Sequence, residues 1–192
     1  MSRPIPDSGP GTTFPPPDGF WVFGYGSLIW QPGFDFTEKR LATLTGFHRA
    51  FCMASIRYRG TPEEPGLVLA LDRAADGACS GVAYRVPGPT APETLAYLRE
   101  RELVSYAYLE EHVRLSLEDG RAVTALAYVV DRDHAQYRGG LSLDEQAEVI
   151  ARAEGPRGRN SDYLMNTLAS LEALGLPDAD LGHLAGLVRA RL

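Results

Sequence analysis

The sequence predicts an α+β fold built on a strongly curved sheet or small barrel. Three observations predict it. Apolar, β-branched and aromatic runs fill the first two thirds of the chain. Three or four of these runs precede any helical pattern, so the order is not the strand–helix alternation of a parallel doubly wound sheet. The last third then switches to helical periodicity. With 192 residues, 44% hydrophobic and 23% charged, the chain suits one soluble domain with a sizeable core.

Each element follows from local chemistry. Residues 1–19 are rich in proline and glycine and poor in apolar side chains. They read as a disordered tail, because burial cannot offset their ordering entropy. The folded domain is expected over 20–192. Phe20 to Leu28 reads as a strand that breaks into a loop at Gly24 and Gly26. Leu41 to Tyr58 reads as one long strand or two short ones, and Leu67–Leu71 and Gly81–Val86 as two short buried strands. Thr90 and Glu93 have capping-box spacing with Pro92 in the first turn, which predicts a helix to about Leu103. Tyr106–Leu117 and Ala122–Val130 flank Asp119-Gly120, a hairpin turn signal. Ser142 and Glu145 form a second capping box, and Leu143, Ala147 and Ile150 give one face of a helix that Gly155-Pro156 stops. Leu164, Leu168 and Leu171 mark the next helix, and Leu181, Leu184, Leu187 and Val188 the last.

Composition excludes several function classes. A net charge of −6 argues against bulk nucleic-acid binding. No apolar run approaches the ~20 residues a bilayer requires. Residues 1–19 lack the apolar stretch of a signal peptide, and Cys52 and Cys79 lack CxxC spacing, so a cytoplasmic protein with free thiols is expected. His48, His112, His134 and His183 are never three or four apart, so no sequence-local metal site is expected.

Four stretches remain that bear chemistry. Glu102 lies four on from Leu98 and seven on from Leu95, hence on the inward stripe of its helix. A carboxylate there is partly desolvated and suits a general base, while Glu100 falls on another face. The plainer alternative pairs Glu102 with Arg99 or Arg101. In Gly24-Tyr25-Gly26-Ser27-Leu28, backbone N–H groups at the glycine bends can face an anion or an oxyanion; the alternative is a tight turn with no ligand. Gly155 to Asn160 precedes a helix beginning near Ser161 and reads either as an anion site with an adjacent arginine or as a linker capped by Asn160 or Ser161. Arg57 to Pro62 reads as a clamp for a substrate carboxylate or as a solvated turn. No Gly-x-Ser-x-Gly elbow is present, and neither cysteine has a nearby histidine, so nothing argues for a triad nucleophile.

Taken together these stretches resemble the ChaC-like γ-glutamylcyclotransferases. The resemblance rests on WVFGYGSLIW at Trp21–Trp30, RGTPEEPG at Arg59–Gly66, GVAYRV at Gly81–Val86, the Arg101-Glu102 pair and GPRGRNSDYL at Gly155–Leu164. It implies a small mixed β-barrel surrounded by helices. It also implies cofactor-free cleavage of glutathione to 5-oxoproline and cysteinylglycine. By the same resemblance the catalytic glutamate falls on Glu102 and the substrate loop on Val22, Phe23, Gly24, Tyr25, Gly26, Ser27 and Leu28. On this reading Arg59 meets a substrate carboxylate, and Tyr163 and Tyr106 hydrogen-bond the glutamyl group. The partner implied is a small-molecule substrate; the sequence does not reveal the oligomeric state, and a monomer is favoured. The sequence departs from the family at Leu103-Val104-Ser105-Tyr106, where a glycine or two usually precedes the aromatic residue. Val104 there implies an altered pocket wall. Rival expectations are a cyclotransferase for another γ-glutamyl amino acid or γ-glutamylamine, and a silent module that binds a small acidic ligand.

Overall fold

The structure, a computed structural model, describes residues 14–103 and 106–192. Thirteen residues of the expected tail, and Val104 with its pocket-wall expectation, lie outside that range. The element order is β1 (Gly19–Gly24), β2 (Glu38–Ser55), β3 (Gly66–Pro87), α1 (Ala91–Glu102), β4 (Tyr108–Leu117), β5 (Ala122–Val130), α2 (Leu143–Arg152), β6 (Glu154–Gly155), β7 (Gly158–Arg159), α3 (Asn160–Ala173) and α4 (Ala179–Arg189). Strands β1 to β5 close a barrel in the order β1-β3-β2-β4-β5. Closure comes from a short parallel contact of β1 with β5, Trp21 opposite Ala125 and Val22 opposite Leu126.

The alternation of side chains explains why β1 reads as an unbroken apolar run. Trp21 and Phe23 point into the barrel with Leu71, Leu115 and Val129. Phe20 and Val22 point outward onto α1, where Leu95 and Leu98 meet Leu126 and Tyr128. Both faces are covered, so both are apolar. On the other side of the barrel, α2, α3 and α4 bury Ile150, Leu164, Leu171 and Leu184 against Phe51, Leu67, Leu69 and Val82. Phe14 packs on Phe20 with ring centroids 5.1 Å apart, and on His112 at 4.7 Å.

Three details differ from the sequence expectation. Leu67–Leu71 and Gly81–Val86 belong to one 22-residue strand, β3. The intervening Asp72–Ser80 is poor in strand-forming residues, but its pairing with β2 carries it through, with register shifts between Thr45 and Phe47 and between Ala50 and Met53. Such bulges bend a long strand, which lets β3 turn from β1 to touch β5 at Leu71–Val129. Secondly, Thr90 makes no capping bond to α1; its hydroxyl donates to the Pro87 carbonyl at 3.4 Å. A short 3₁₀ turn over Gly88–Thr90 already leads into the helix. Thirdly, α2 ends at Arg152, before Gly155-Pro156, and those residues form the tight β6–β7 hairpin. The Ser142–Glu145 capping box and the Asp119-Gly120 turn form as expected, with Gly120 at φ +87°. Among the described residues no helix is long and apolar enough to cross a membrane, and Cys52 and Cys79 are buried free thiols.

Candidate active site

The C-terminal end of α1 opens onto a cavity of about 590 Å³. The loop after β1, the facing ends of β2 and β3, Tyr108 and Tyr128 of the β4–β5 hairpin, and Tyr163 of α3 complete its wall. Glu102 projects into it from the apolar stripe, as its spacing from Leu95 and Leu98 requires. Its side chain keeps only 19% of its exposure. Burial raises its carboxyl pKa, and the neighbouring Arg101 guanidinium partly opposes that rise. Both readings of the residue therefore hold at once: it is desolvated, and Arg101 Nε lies 3.0 Å from Glu102 Oε1.

Arg101 does more than pair. Its Nη2 donates to Ser27 Oγ at 2.9 Å, and its Nη1 donates to the carbonyls of Gln31 (2.7 Å) and Pro32 (3.2 Å) and to the Tyr97 hydroxyl (3.0 Å). One guanidinium thus fixes the glutamate against the loop after β1. Four phenols complete the interior. Burial above all, with smaller contributions from neighbouring phenols and the Glu110 and Glu102 carboxylates, raises the pKa of Tyr25, Tyr108, Tyr128 and Tyr163, the last to about 12. All four stay protonated near neutral pH. Tyr25 and Tyr108 spend their protons on the carbonyls of Tyr128 (2.9 Å) and Leu69 (3.1 Å).

The loop after β1 is held by its carbonyls. The buried Arg49 donates to the Tyr25 carbonyl at 2.7 Å and also to the Ser80 carbonyl, while its Nε lies 2.9 Å from Asp178. The Gly26 and Ser27 carbonyls accept from the N–H groups of Ile29 and Gln31, and Tyr84 reaches the Leu28 and Ile29 carbonyls at 3.0 Å each. Every carbonyl from Tyr25 to Ile29 has a protein donor. Among the described residues, the N–H groups of Gly26 and Ser27 meet no protein acceptor. That asymmetry suits an oxygen-rich ligand. A Cβ on Gly26 would have only Leu69 and the Tyr163 hydroxyl near 4 Å, so the backbone there borders open cavity.

The expected site residues divide accordingly. Glu102, Tyr25, Gly26, Ser27, Leu28, Arg59 and Tyr163 line the cavity together. Val22 and Phe23 are fully buried in β1, and Gly24 packs against Leu28 and Tyr84, so these three support the loop without lining the cavity. Tyr106 does not line it either. It is 79% exposed, with φ +56°, and Tyr108 occupies the wall in its place. Tyr106 precedes β4, whereas Tyr108 lies on the β4 face that packs with α1. That face relationship was the available signal for Tyr108. Arg101 was visible only as a pairing partner, because the carbonyls it serves belong to a distant loop.

Asn160 also departs from expectation. It opens α3 without capping it; its side chain is buried and bridges to β3, accepting from the Leu67 N–H at 2.6 Å and donating to the Leu67 carbonyl at 2.7 Å. Beside it Arg59 lies 5.4 Å from the Tyr163 ring centroid and donates to the Arg159 carbonyl at 3.2 Å.

A barrel with an end cavity holding one desolvated glutamate, a donor-rich loop and neutral phenols defines a small-molecule acid–base site. Residues 20–191 match the model of the ChaC-like protein family, and the chain belongs to that family. It is 40% identical over 187 residues to the glutathione-specific γ-glutamylcyclotransferase of Escherichia coli, covering 97% of this chain and 76% of that protein. Against the human glutathione-specific γ-glutamylcyclotransferase 1 the identity is 34%, covering 94% and 84%. Among solved structures, a yeast γ-glutamyl cyclotransferase specific to glutathione superposes with a TM-score of 0.83 at 27% identity, covering 91% of this chain and 97% of that one.

Proposed function

We propose that the protein is a glutathione-specific γ-glutamylcyclotransferase that releases 5-oxoproline and cysteinylglycine, acting as a cytoplasmic monomer. The observation that carries this reading is the desolvated Glu102 carboxyl lining one cavity together with the Gly26–Ser27 loop. The similarity to glutathione-specific enzymes over nearly the whole chain supports the substrate.

Cyclotransfer needs no enzyme nucleophile, because the substrate carries its own. Glu102 removes a proton from the α-ammonium of the γ-glutamyl group. The freed amine attacks the γ-carbonyl carbon and closes a five-membered ring through a tetrahedral oxyanion. The bond from that carbon to the cysteine nitrogen then breaks. Glu102 returns its proton to the leaving amine, which restores the carboxylate, and the second proton that ring closure leaves on the attacking nitrogen passes to the released amine, which departs as an ammonium. A raised carboxyl pKa narrows the gap to the ammonium, which makes the first transfer easier. The loop N–H groups hold a substrate carboxylate or the oxyanion, and the walls fold the glutamyl chain into attack geometry. Tyr163 donates a hydrogen bond to the glutamyl group.

The test is incubation of the purified protein with glutathione, γ-glutamylcysteine and γ-glutamylalanine, followed by mass spectrometry of 5-oxoproline. Release from glutathione in preference to the others is expected. Preference for γ-glutamylalanine would assign the site to another γ-glutamyl substrate, and binding of glutathione without any product would make it a silent ligand site.

A further inference from the structure

The exposed rim of the cavity carries three arginines, Arg57, Arg59 and Arg157, and two half-open aromatic residues, Trp30 and Tyr58. None of the three arginines has a carboxylate partner among the described residues, although the chain has a net charge of −6. The only acids in the lining are Glu102, already held by Arg101, and Glu100.

Arg157 is the one the fold places most deliberately. It sits in the turn of the β6–β7 hairpin, where Gly158 adopts φ +92°. Its N–H donates to the Tyr58 carbonyl at 3.0 Å, and its guanidinium lies 4.3 Å from the Tyr58 ring centroid. A Cβ on Gly155 would come within 2.5 Å of the Gly60 nitrogen and the Tyr58 carbonyl. The hairpin therefore lies directly against the Arg57–Gly60 loop, and only glycine permits that contact. Resting over the Tyr58 ring restrains the guanidinium at the rim of the cavity.

We infer that Arg157 is a specificity-determining residue that binds the terminal carboxylate of the leaving peptide. The inference rests on the cyclotransferase reading and deepens it. Two peptide residues beyond the γ-carbonyl span about 7 Å when extended, enough to lead from an interior carbon toward a rim. A planar fork resting over a ring suits a carboxylate. The preferred class is then γ-glutamyl peptides with a free carboxylate two residues beyond the scissile bond. A contact so far from the reacting atoms serves ground state and transition state alike, so its loss raises KM and spares kcat.

The experiment compares glutathione with its glycine ethyl ester, following 5-oxoproline, for the wild type, Arg157→Gln and Arg157→Lys. Expected for the wild type is a KM about tenfold or more higher for the ester, the size of one charge-assisted hydrogen bond, at similar kcat. Arg157→Gln should raise the KM for glutathione to the ester's value and abolish the difference between the two substrates, with Arg157→Lys intermediate. An unchanged KM for glutathione in a folded Arg157→Gln, or persistent discrimination against the ester, overturns the inference while leaving the cyclotransferase reading intact. Absence of 5-oxoproline from glutathione with the wild type overturns both.

Discussion

In the proposed mechanism the chemistry turns on Glu102, and two properties of that residue are separately measurable. Glu102→Gln should fold and lose about 10²–10⁴ in kcat, the usual worth of a positioned acid–base group. Glu100→Gln, exposed at the edge of the same cavity rather than buried in it, should change kcat by less than twofold; a steady-state assay of the pair decides it. The pH dependence follows from burial. The folded chain holds the Glu102 proton more tightly than the unfolded chain does, so the stability tied to this group is present at low pH and lost as pH rises through its raised folded value. The acid limb of kcat/KM should accordingly fall above the ordinary carboxylate range, and Glu102→Gln should melt no lower than the wild type at neutral pH. A variant melting well below the wild type there would mean that the ionised pair with Arg101 stabilises the fold on balance. Arg101→Ala should lower kcat more than it raises KM, because Arg101 orients the glutamate and the loop; an effect on KM alone would contradict that role.

At the scale of elements, the cavity exists because α1 packs its Leu95–Leu98 stripe on the barrel and ends with Glu102 beside the loop after β1. Asn160 fastens α3, and with it Tyr163, to β3 through both polar groups of Leu67. Asn160→Ala leaves a buried N–H and a buried carbonyl unpaired and should cost about 2 kcal/mol or more in urea unfolding. The helical stripe that placed Glu102 was legible because a period of 3.6 is a local property. So were the apolar run of β1, the Ser142 cap and the Asp119-Gly120 turn. The unity of β3 was not legible, since partner strands and bulges carry Asp72–Ser80 through the sheet. Nor were the roles of Arg49, Arg101 and Asn160, whose partners Tyr25, Ser27 and Leu67 lie far away along the chain. The resemblance set Tyr106 against the glutamyl group, but Tyr106 precedes β4 and is exposed, while Tyr108 lines the cavity, a difference that depends on where β4 begins.

Over the whole molecule, the net charge of −6 opposes an anionic substrate, and the answer is local. Arginines gather at the cavity rim without carboxylate partners, while most of those elsewhere are paired. In the proposed mechanism bond cleavage comes from the substrate's own amine, with Glu102 moving its proton. The most direct test is turnover of glutathione in ¹⁸O-labelled water, with mass analysis of the released γ-glutamyl product. Expected are 5-oxoproline without label and an equal amount of cysteinylglycine, both lost in Glu102→Gln. Glutamate carrying one ¹⁸O in its γ-carboxylate would show attack by water and contradict it.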